Sequence, residues 1–265
     1  MGYGDEIIAT GLARGLRDQG KLAAFGDGKR ILWGPWCEEM FRNNPNIAHP
    51  SMAHQTNLVW IKHYKGARLY NVQSADKKQW IWNYGFKVKP GEFFFDEAER
   101  ARIEYTRQSL RDFVVIEPNV PWQKSVAPNK DWGEEKYEQL CQRLQSNGVQ
   151  VLQFLHKNTR RRLTGVATMQ LEKFRDVIGT LSLAKLYIGP EGGMHHASAA
   201  VGVDAVVLMG GFIPPLVVGY DGHTNLTGET KACGNIQTCS HCIEAMKRIS
   251  VDQVFEAAMA KLQCR

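Results

Sequence analysis

Short apolar runs alternate with longer amphipathic stretches along the second half of the chain. The apolar runs predict buried strands at 112–117, 149–155, 186–188 and 205–208. The amphipathic stretches predict helices over 134–147, within 169–181, and over 194–201 and 250–262. Strands that alternate with helices at this spacing indicate right-handed crossovers and a parallel sheet. Ligands bind beyond the carboxyl ends of such strands, so the loops after Glu117, Leu155 and Ile188 are candidate site loops.

The first half of the chain has a weaker and less regular pattern. A helix is predicted over 4–16, and a charged helix over 96–109 is predicted to precede the linker. Between them we predict short strands at 21–28, 30–33, 58–63 and 67–71 and an aromatic-rich stretch at 80–95. We therefore expect an N-terminal domain over 1–108 and a C-terminal domain over 109–265. The last helix is part of the C-terminal domain in sequence, but it could pack back on the N-terminal domain.

Composition restricts the class of protein without choosing its partner. The 265 residues are 43% hydrophobic and 23% charged, which is typical of a globular chain. No apolar run is long enough to span a membrane, and the first residues lack the pattern of a signal peptide, so we expect a cytoplasmic protein. The net charge of +6 suits an anionic partner, such as a phosphorylated small molecule, a nucleic acid or an acidic membrane surface.

The segment 189–202 reads GPEGGMHHASAAVG and follows a predicted strand. Glycines allow a backbone to approach a ligand closely, and the first N–H groups of a helix favour phosphate. His195 and His196 fall in the first helical turn and could donate further hydrogen bonds. A glycine pair alone would more often be a tight turn, but the coincidence of strand, glycines, histidines and small-residue helix favours a phosphate-binding site.

Two further segments carry candidate chemistry. A glycine-rich turn opens the first helix and brings Asp5 and Glu6 into its first turn. These carboxylates could be favourable partners of the helix dipole, or Asp5 could act as a general base. Lys130 precedes the helix over 134–147 and could meet a diphosphate, a role for which Lys124 competes.

Together, Gly4-Asp5, Lys130-Asp131-Trp132 and the segment from Glu191 to His196 resemble the motifs of glycosyltransferase family nine, the ADP-heptose:lipopolysaccharide heptosyltransferases. The resemblance covers residues 2–16 and 112–262 well and the middle of the chain only in outline. It implies a GT-B fold, in which two Rossmann-like domains face a cleft, with a small and irregular N-terminal domain here.

The resemblance also implies an inverting, metal-independent transfer of a heptose or related sugar from a nucleoside-diphosphate donor to a hydroxyl of a glycan or glycolipid. Asp5 would be the general base, with Gly4, Glu6 and Thr10 on the acceptor side or in support. The donor-binding residues would be Lys130, Glu191, Gly192, Gly193, Met194, His195 and His196. No cofactor would be required, the activity would belong to lipopolysaccharide biosynthesis, and the enzyme would be cytoplasmic, with peripheral contact with the inner membrane left open.

Four departures from the family pattern qualify this expectation. The family has a strand before its Gly-Asp turn, whereas this chain begins almost at the turn, so we expect that strand to be missing. The family aspartate of the third motif is Glu191 here, and 156–162 lacks an acidic residue that could meet a ribose. The donor could therefore differ from ADP-heptose, and the short N-terminal domain suggests an unusual acceptor.

Three cysteines, Cys233, Cys239 and Cys242, form the second candidate site. With His241, His223 or Cys264 they could bind structural zinc or iron. Packed, reduced thiols are the favoured interpretation from the sequence, so no metal is assigned.

Two rival functions remain at this point. A nucleic-acid-binding or nucleic-acid-modifying protein would use the basic charge, the run 160–162 and the seven tryptophans, but the tryptophans are scattered and no known module is present. A GT-B-fold sugar-nucleotide epimerase would share the donor site and need no acceptor.

Overall fold

A computed structural model describes residues 1–263 of the chain. The helices are α1 (Tyr3–Arg14), α2 (Pro35–Met40), α3 (Glu97–Ser109), α4 (Glu134–Ser146), α5 (Phe174–Leu181), α6 (Gly193–Ala200), α7 (Pro215–Val218), α8 (Ser240–Arg248) and α9 (Val251–Gln263). The strands are β1 (Leu22–Phe25), β2 (Leu58–Ile61), β3 (Asn71–Gln73), β4 (Trp80–Trp82), β5 (Phe113–Ile116), β6 (Gln150–Leu155), β7 (Ala167–Gln170), β8 (Leu186–Pro190), β9 (Ala205–Leu208) and β10 (Thr224–Leu226). None of the described helices is long and apolar enough to cross a membrane.

A six-stranded parallel sheet organises the second half of the chain. Its strand order is β10-β9-β8-β5-β6-β7, and every neighbouring pair is parallel. The interior strands β5 and β9 are buried throughout, which explains their unbroken apolar runs. The predicted α/β fold with a large parallel sheet is confirmed, although β7, β10 and α8 were not predicted.

The first half is small and irregular, as predicted. Its parallel sheet has two strands, β1 and β2, and β3 pairs with β4 in an antiparallel hairpin. The strands predicted at 30–33 and 67–71 are wrong, because Ile31 and Ala67 form only isolated bridges, with Gly26 and Tyr64 respectively. The short helix α2 was missed, because its six residues are too few to show a helical period.

The two halves are packed directly against each other through α1 and α6. One hydrophobic cluster contains Ile7 of α1 and Phe25 of β1 together with Phe113 of β5 and Ile178 of α5. The last helix, α9, packs against α4, β8 and β9 rather than returning to the N-terminal half. The division into domains at residues 108 and 109 stays a prediction.

Candidate active site

The N-terminus of α1 positions Asp5 among three hydrogen-bond donors. The Gly2 N–H lies 2.8 Å from Asp5 Oδ2, Arg68 Nε lies 2.8 Å from Asp5 Oδ1, and the Tyr70 hydroxyl also donates to Oδ1. Burial alone would raise the pKa of Asp5, but the charge of Arg68 and these hydrogen bonds outweigh it and hold the pKa below its usual value. Asp5 is therefore ionised at neutral pH, and Oδ2, which accepts from the Gly2 N–H at 2.8 Å and from Arg68 Nη2 at 3.5 Å, has the longer pair of hydrogen bonds.

Glu6 lies in a different environment one residue further on. Its side chain is buried, and the Cys37 thiol donates to its carboxylate. Burial and the neighbouring charge of Asp5 raise the pKa of Glu6 to about 7. Two adjacent carboxylates thus have pKa values that are moved in opposite directions, which is typical of sites that transfer protons.

Gly4 brings α1 into contact with the start of α6. A Cβ atom at Gly4 would lie 2.9 Å from Cδ2 of His196 and 3.5 Å from the backbone N of Gly193. Only glycine allows this approach, so Gly4 shapes the site without offering a functional group. Thr10 is also structural, because its hydroxyl donates to the Ile7 carbonyl and accepts from the Glu92 N–H.

Glu191 lies between strand β8 and helix α6 and forms a buried ionic network. Its carboxylate pairs with Lys130, and its Oε1 lies 3.4 Å from Nε2 of His196. Burial would raise the pKa of Glu191, but the charge of Lys130 and the contact with His196 lower it well below its usual value. Lys130 and His196, both assigned to the donor from the sequence, are therefore satisfied here by an internal anion.

His195, in the first turn of α6, has a ring nitrogen within 4.8 Å of both the Glu191 carboxylate and a ring nitrogen of His196, and its assignment to the donor site stays a prediction. It is completely buried, and both ring nitrogens are without a hydrogen-bond partner among residues 1–263. The rings of His196, Tyr220 and His223 surround it at centroid distances of 4.7 to 5.3 Å. Burial and the nearby positive charge lower the pKa of His195, so the ring is neutral.

The remaining donor-side residues surround the turn between β8 and α6. Gly192 is the N-cap of α6, and the rings of Tyr3 and Phe174 lie beside Gly193. Met194 is half-buried and packs against the hydrophobic cluster that joins the two halves. The first N–H groups of α6 thus begin beside Asp5, at the point where the two halves of the molecule meet.

The loop that carries Lys130 is anchored on both sides. Trp132 is buried and its indole N–H donates to the Ile249 carbonyl at 2.8 Å. Asn129 donates to the carbonyls of Asn235 and Gln237. With the loop held in this way, the Lys130 side chain points toward Glu191 and the Trp132 side chain lies in the core. Lys124, the competing lysine, is exposed near Gly2 at the start of α1.

The thiols of Cys233, Cys239 and Cys242 form a compact group, with all three sulfur atoms within 4.8 Å of one another. Cys233 Sγ lies 3.1 Å from Cys242 Sγ and 3.9 Å from Cys239 Sγ. Burial raises the pKa of Cys242, whereas backbone and thiol hydrogen bonds outweigh burial at Cys239 and lower its pKa. His223 instead packs beside His195 and Tyr220.

The segment 233–242, which carries the three cysteines, forms hydrogen bonds to both sides of the site. The Cys239 N–H donates to Oδ1 of Asn129 at 2.8 Å, next to Lys130. On the other side, the Trp80 N–H donates to the Gly234 carbonyl at 2.8 Å. His241 instead donates from Nε2 to the Lys231 carbonyl, and Cys264 lies outside the described residues.

One residue of the basic run at 160–162 is used internally. Arg161 pairs with Asp131 at 2.7 Å, and its guanidinium lies 5.3 Å from the centroid of the Trp122 ring. Asn119 accepts from the N–H groups of Arg160 and Arg161. The middle arginine therefore fixes a loop, whereas the side chains of Arg160 and Arg162 are exposed.

Residues 71–249 match the family model described as glycosyltransferase family 9 (heptosyltransferase). The chain belongs to this family. It is a glycosyltransferase, and a nucleotide sugar is the donor that its family implies. The predicted family is thereby confirmed; the matched residues include Lys130–Trp132 and 191–196, whereas Gly4-Asp5 lies outside them.

Solved structures with a similar fold have the following names and degrees of similarity. A glycosyl transferase family 9 structure from Veillonella parvula superposes with a TM-score of 0.64 at 13% identity, over 100% of this chain and 96% of that one. The iron-containing dodecameric glycosyltransferase TibC from enterotoxigenic E. coli superposes with a TM-score of 0.61 at 11% identity, over 100% and 74%. ADP-heptose heptosyltransferase II from E. coli gives a TM-score of 0.45 at 17% identity, over 69% and 54%.

At these identities the first two structures show a shared fold and nothing finer. No curated protein sequence matches the chain.

Sequence reasoning missed Arg68 and Tyr70, which hold the Asp5 carboxylate. They lie in an irregular segment with no periodic pattern, and nothing in the sequence connects that segment to the first helix. It also missed Tyr220, whose hydroxyl is 2.9 Å from Nδ1 of His196. A lone tyrosine beyond a short helix gives no signal of such a contact.

Proposed function

We propose that this glycosyltransferase transfers a heptose or related sugar with inversion, from a nucleoside-diphosphate donor to a hydroxyl of a glycan or glycolipid. One observation carries the proposal: α1 packs against α6 so closely at Gly4, the residue before Asp5, that a Cβ there would lie 2.9 Å from His196. A proton acceptor thus adjoins an anion-binding helix terminus. The pairing suits a reaction that deprotonates one oxygen while negative charge develops on another.

Asp5 is the proposed general base. The acceptor hydroxyl gives its proton to Asp5 Oδ2 while its oxygen forms a bond to the anomeric carbon. The bond between that carbon and the diphosphate oxygen breaks, and its electron pair leaves with the nucleoside diphosphate. Arg68 and Tyr70 orient the carboxylate and weaken it as a base, so close positioning of the hydroxyl has to supply much of the acceleration.

The diphosphate is proposed to bind at the N–H groups that begin α6 and to take over Lys130 and His196 from Glu191. The diphosphate would replace the Glu191 carboxylate beside Lys130, so the buried ammonium group has an anionic partner both before and after the donor binds. Glu191 is the residue at which this chain differs from the family aspartate, and its longer side chain is the one that reaches Lys130 here. We therefore expect Glu191 to compete with the donor.

The three cysteines are proposed to bind a structural zinc or iron ion that takes no part in the transfer step. Their sulfur atoms are close enough to share one ion, and the lowered pKa of Cys239 favours a thiolate ligand. TibC, which shares the fold, is iron-containing. Total metal analysis of protein purified without a histidine tag tests this, and less than about a tenth of an equivalent would overturn it.

The five described cysteines are free thiols. Thiols persist in reducing compartments, so we propose that the reaction takes place in the cytoplasm.

A thermal-shift screen of nucleoside diphosphates and nucleotide sugars tests the donor site. A ligand at 100 times its Kd adds about 2.7 kcal/mol, which corresponds to a rise in Tm of roughly 5–10 °C for a chain of this size. Glu191→Gln should bind the same ligand more tightly, because it removes the competing anion. The absence of any shift would contradict the proposal, and turnover of a nucleotide sugar without an acceptor would favour an epimerase.

A further inference from the structure

The positive charge of the chain is concentrated in one segment. Residues 62–91 contain seven lysine or arginine residues and one aspartate, an excess that equals the formal net charge of +6 of the whole chain. Arg68 is neutralised by Asp5, and Lys87 pairs with Asp221. The other five are exposed and form no ion pair within the described part of the chain: Lys62, Lys65, Lys77, Lys78 and Lys89.

The same segment exposes apolar side chains on the outer face of the β3–β4 hairpin. Val72 and Ile81 are direct cross-strand partners, so they lie on one face, and they are 60% and 55% exposed. Tyr84, three residues beyond Ile81, is 61% exposed. Large exposed apolar groups that adjoin one another are uncommon on a protein that meets only water.

The inner face of the hairpin is occupied by the protein itself. The Trp82 ring packs edge-on against Phe212 at a centroid distance of 5.8 Å, and Trp80 lies under the guanidinium of Arg68. The outward direction of Val72 and Ile81 is therefore fixed by packing on the opposite side. Two backbone hydrogen bonds also join the hairpin to the segment 233–242: the Trp80 N–H donates to the Gly234 carbonyl, and the Ile236 N–H donates to the Lys78 carbonyl.

We propose that the β3–β4 hairpin docks on an anionic lipid surface, with Val72 and Ile81 entering the interface and Lys77 and Lys78, in the turn between the two strands, meeting the headgroups. Exposed apolar side chains close to lysines are the composition that favours this location. A second copy of the chain would bring two surfaces of like charge together. Nucleic acid would gain nothing from a valine and an isoleucine, which offer no ring for base stacking.

The hairpin is joined directly to the partners of Asp5. Arg68 and Tyr70 lie just before β3 and hold the Asp5 carboxylate, and Arg68 also lies over Trp80 on the inner face of the hairpin. A hairpin docked on a bilayer would therefore hold the site close to a glycolipid acceptor in the same bilayer. That link to the acceptor rests on the proposed function, whereas the docking itself does not.

Cosedimentation with lipid vesicles tests the inference. The protein should partition onto vesicles of phosphatidylglycerol and phosphatidylethanolamine and remain in solution with phosphatidylcholine alone. Val72→Ser with Ile81→Ser should lower the partition coefficient at least tenfold. Lys77→Gln with Lys78→Gln should lower it about fivefold per lysine.

Matched control variants distinguish binding through this surface from non-specific binding to vesicles. Tyr105→Ser removes an aromatic side chain that is 74% exposed on α3, and Lys157→Gln with Arg160→Gln removes two exposed cations from the other half. Both controls should bind vesicles as the wild type does. Equal losses in control and hairpin variants would overturn the proposal, as would equal binding to phosphatidylcholine.

Two further measurements guard against other occupants and against misfolding. Sedimentation velocity that shows a dimer lost in the Val72, Ile81 variant, without vesicle binding, would assign the surface to a second copy and overturn the proposal. The variant should keep the Tm and the nucleotide-induced shift of the wild type. A wild type that binds vesicles but no nucleotide would sink the proposed function and leave the docking surface standing.

Discussion

The buried pair of Lys130 and Glu191 gives a prediction that needs no substrate. Replacing Lys130 by Met keeps the length of the side chain and removes its charge. Glu191, whose side chain is 8% exposed, would then retain only the contact with His196 at 3.4 Å. Breaking a buried ion pair by removing one partner costs about 3–5 kcal/mol, because the other charge stays buried.

Removing the acid should cost less. Glu191→Gln leaves Lys130 with the backbone carbonyl of residue 191 at 3.4 Å and with the Phe212 ring at 5.0 Å, so we expect a loss of about 1–3 kcal/mol. The double variant has no buried charge at either position. Its loss should therefore be smaller than that of Lys130→Met, with a coupling energy of at least about 2 kcal/mol.

Urea unfolding of the four proteins in this cycle measures the coupling, and its pH dependence provides a second check. The folded pKa of Glu191 is depressed, so in the wild type its stabilising contribution is present above the unfolded pKa and is lost as the pH falls through the folded one. In Lys130→Met that pKa rises, so the carboxyl takes up a proton on mild acidification. The deficit of this variant should shrink between pH 7 and pH 4.

A coupling energy within about 0.5 kcal/mol of zero would refute the reasoning, because it would mean that the two charges do not depend on each other. A deficit that stays constant with pH would refute it independently, since it would show that Glu191 is not left as a buried anion.

Three further predictions concern α1. Asp5→Asn should keep the nucleotide-induced thermal shift and lose transfer, measured as release of nucleoside diphosphate; retained transfer would remove Asp5 as the base. Gly4→Ala should cost about 1–3 kcal/mol of unfolding free energy through its clash with His196, whereas Gly2→Ala, whose Cβ has its nearest neighbour at 3.9 Å, should cost less than about 1 kcal/mol. The raised folded pKa of Glu6 means that wild-type stability falls as the pH rises from about 4.5 through 7, and Glu6→Gln should abolish that fall in urea titrations at pH 5 and 8.

The second half of the fold could be predicted because local pattern and tertiary environment agree there. Strand β5 is buried throughout and reads as an apolar run, and α4 buries Tyr137, Leu140 and Leu144 on one stripe. Strand β7 was missed because it is an edge strand with exposed ends and no apolar run.

The candidate site was predictable in its outline and not in its contacts. The glycines around α6 and the carboxylate of Asp5 belong to local turns, which leave a signature in the sequence. Arg68 reaches Asp5 across 63 positions, and only the fold brings them together. The pairing of Lys130 with Glu191 could likewise not be predicted, because the two residues lie 61 positions apart and no local pattern connects them.

The hydrogen bonds of the segment 233–242, which carries the three cysteines, have a consequence for the thermodynamics of binding. The segment bonds to Asn129, beside the lysine of the donor side, and to Trp80, beside the arginine that holds Asp5. If an ion bound at the sulfur atoms changes the position of this segment, its binding free energy is coupled to that of a ligand on either side of the site. By reciprocity, an ion that tightens nucleotide binding by a given factor is itself held more tightly by that factor when the nucleotide is present.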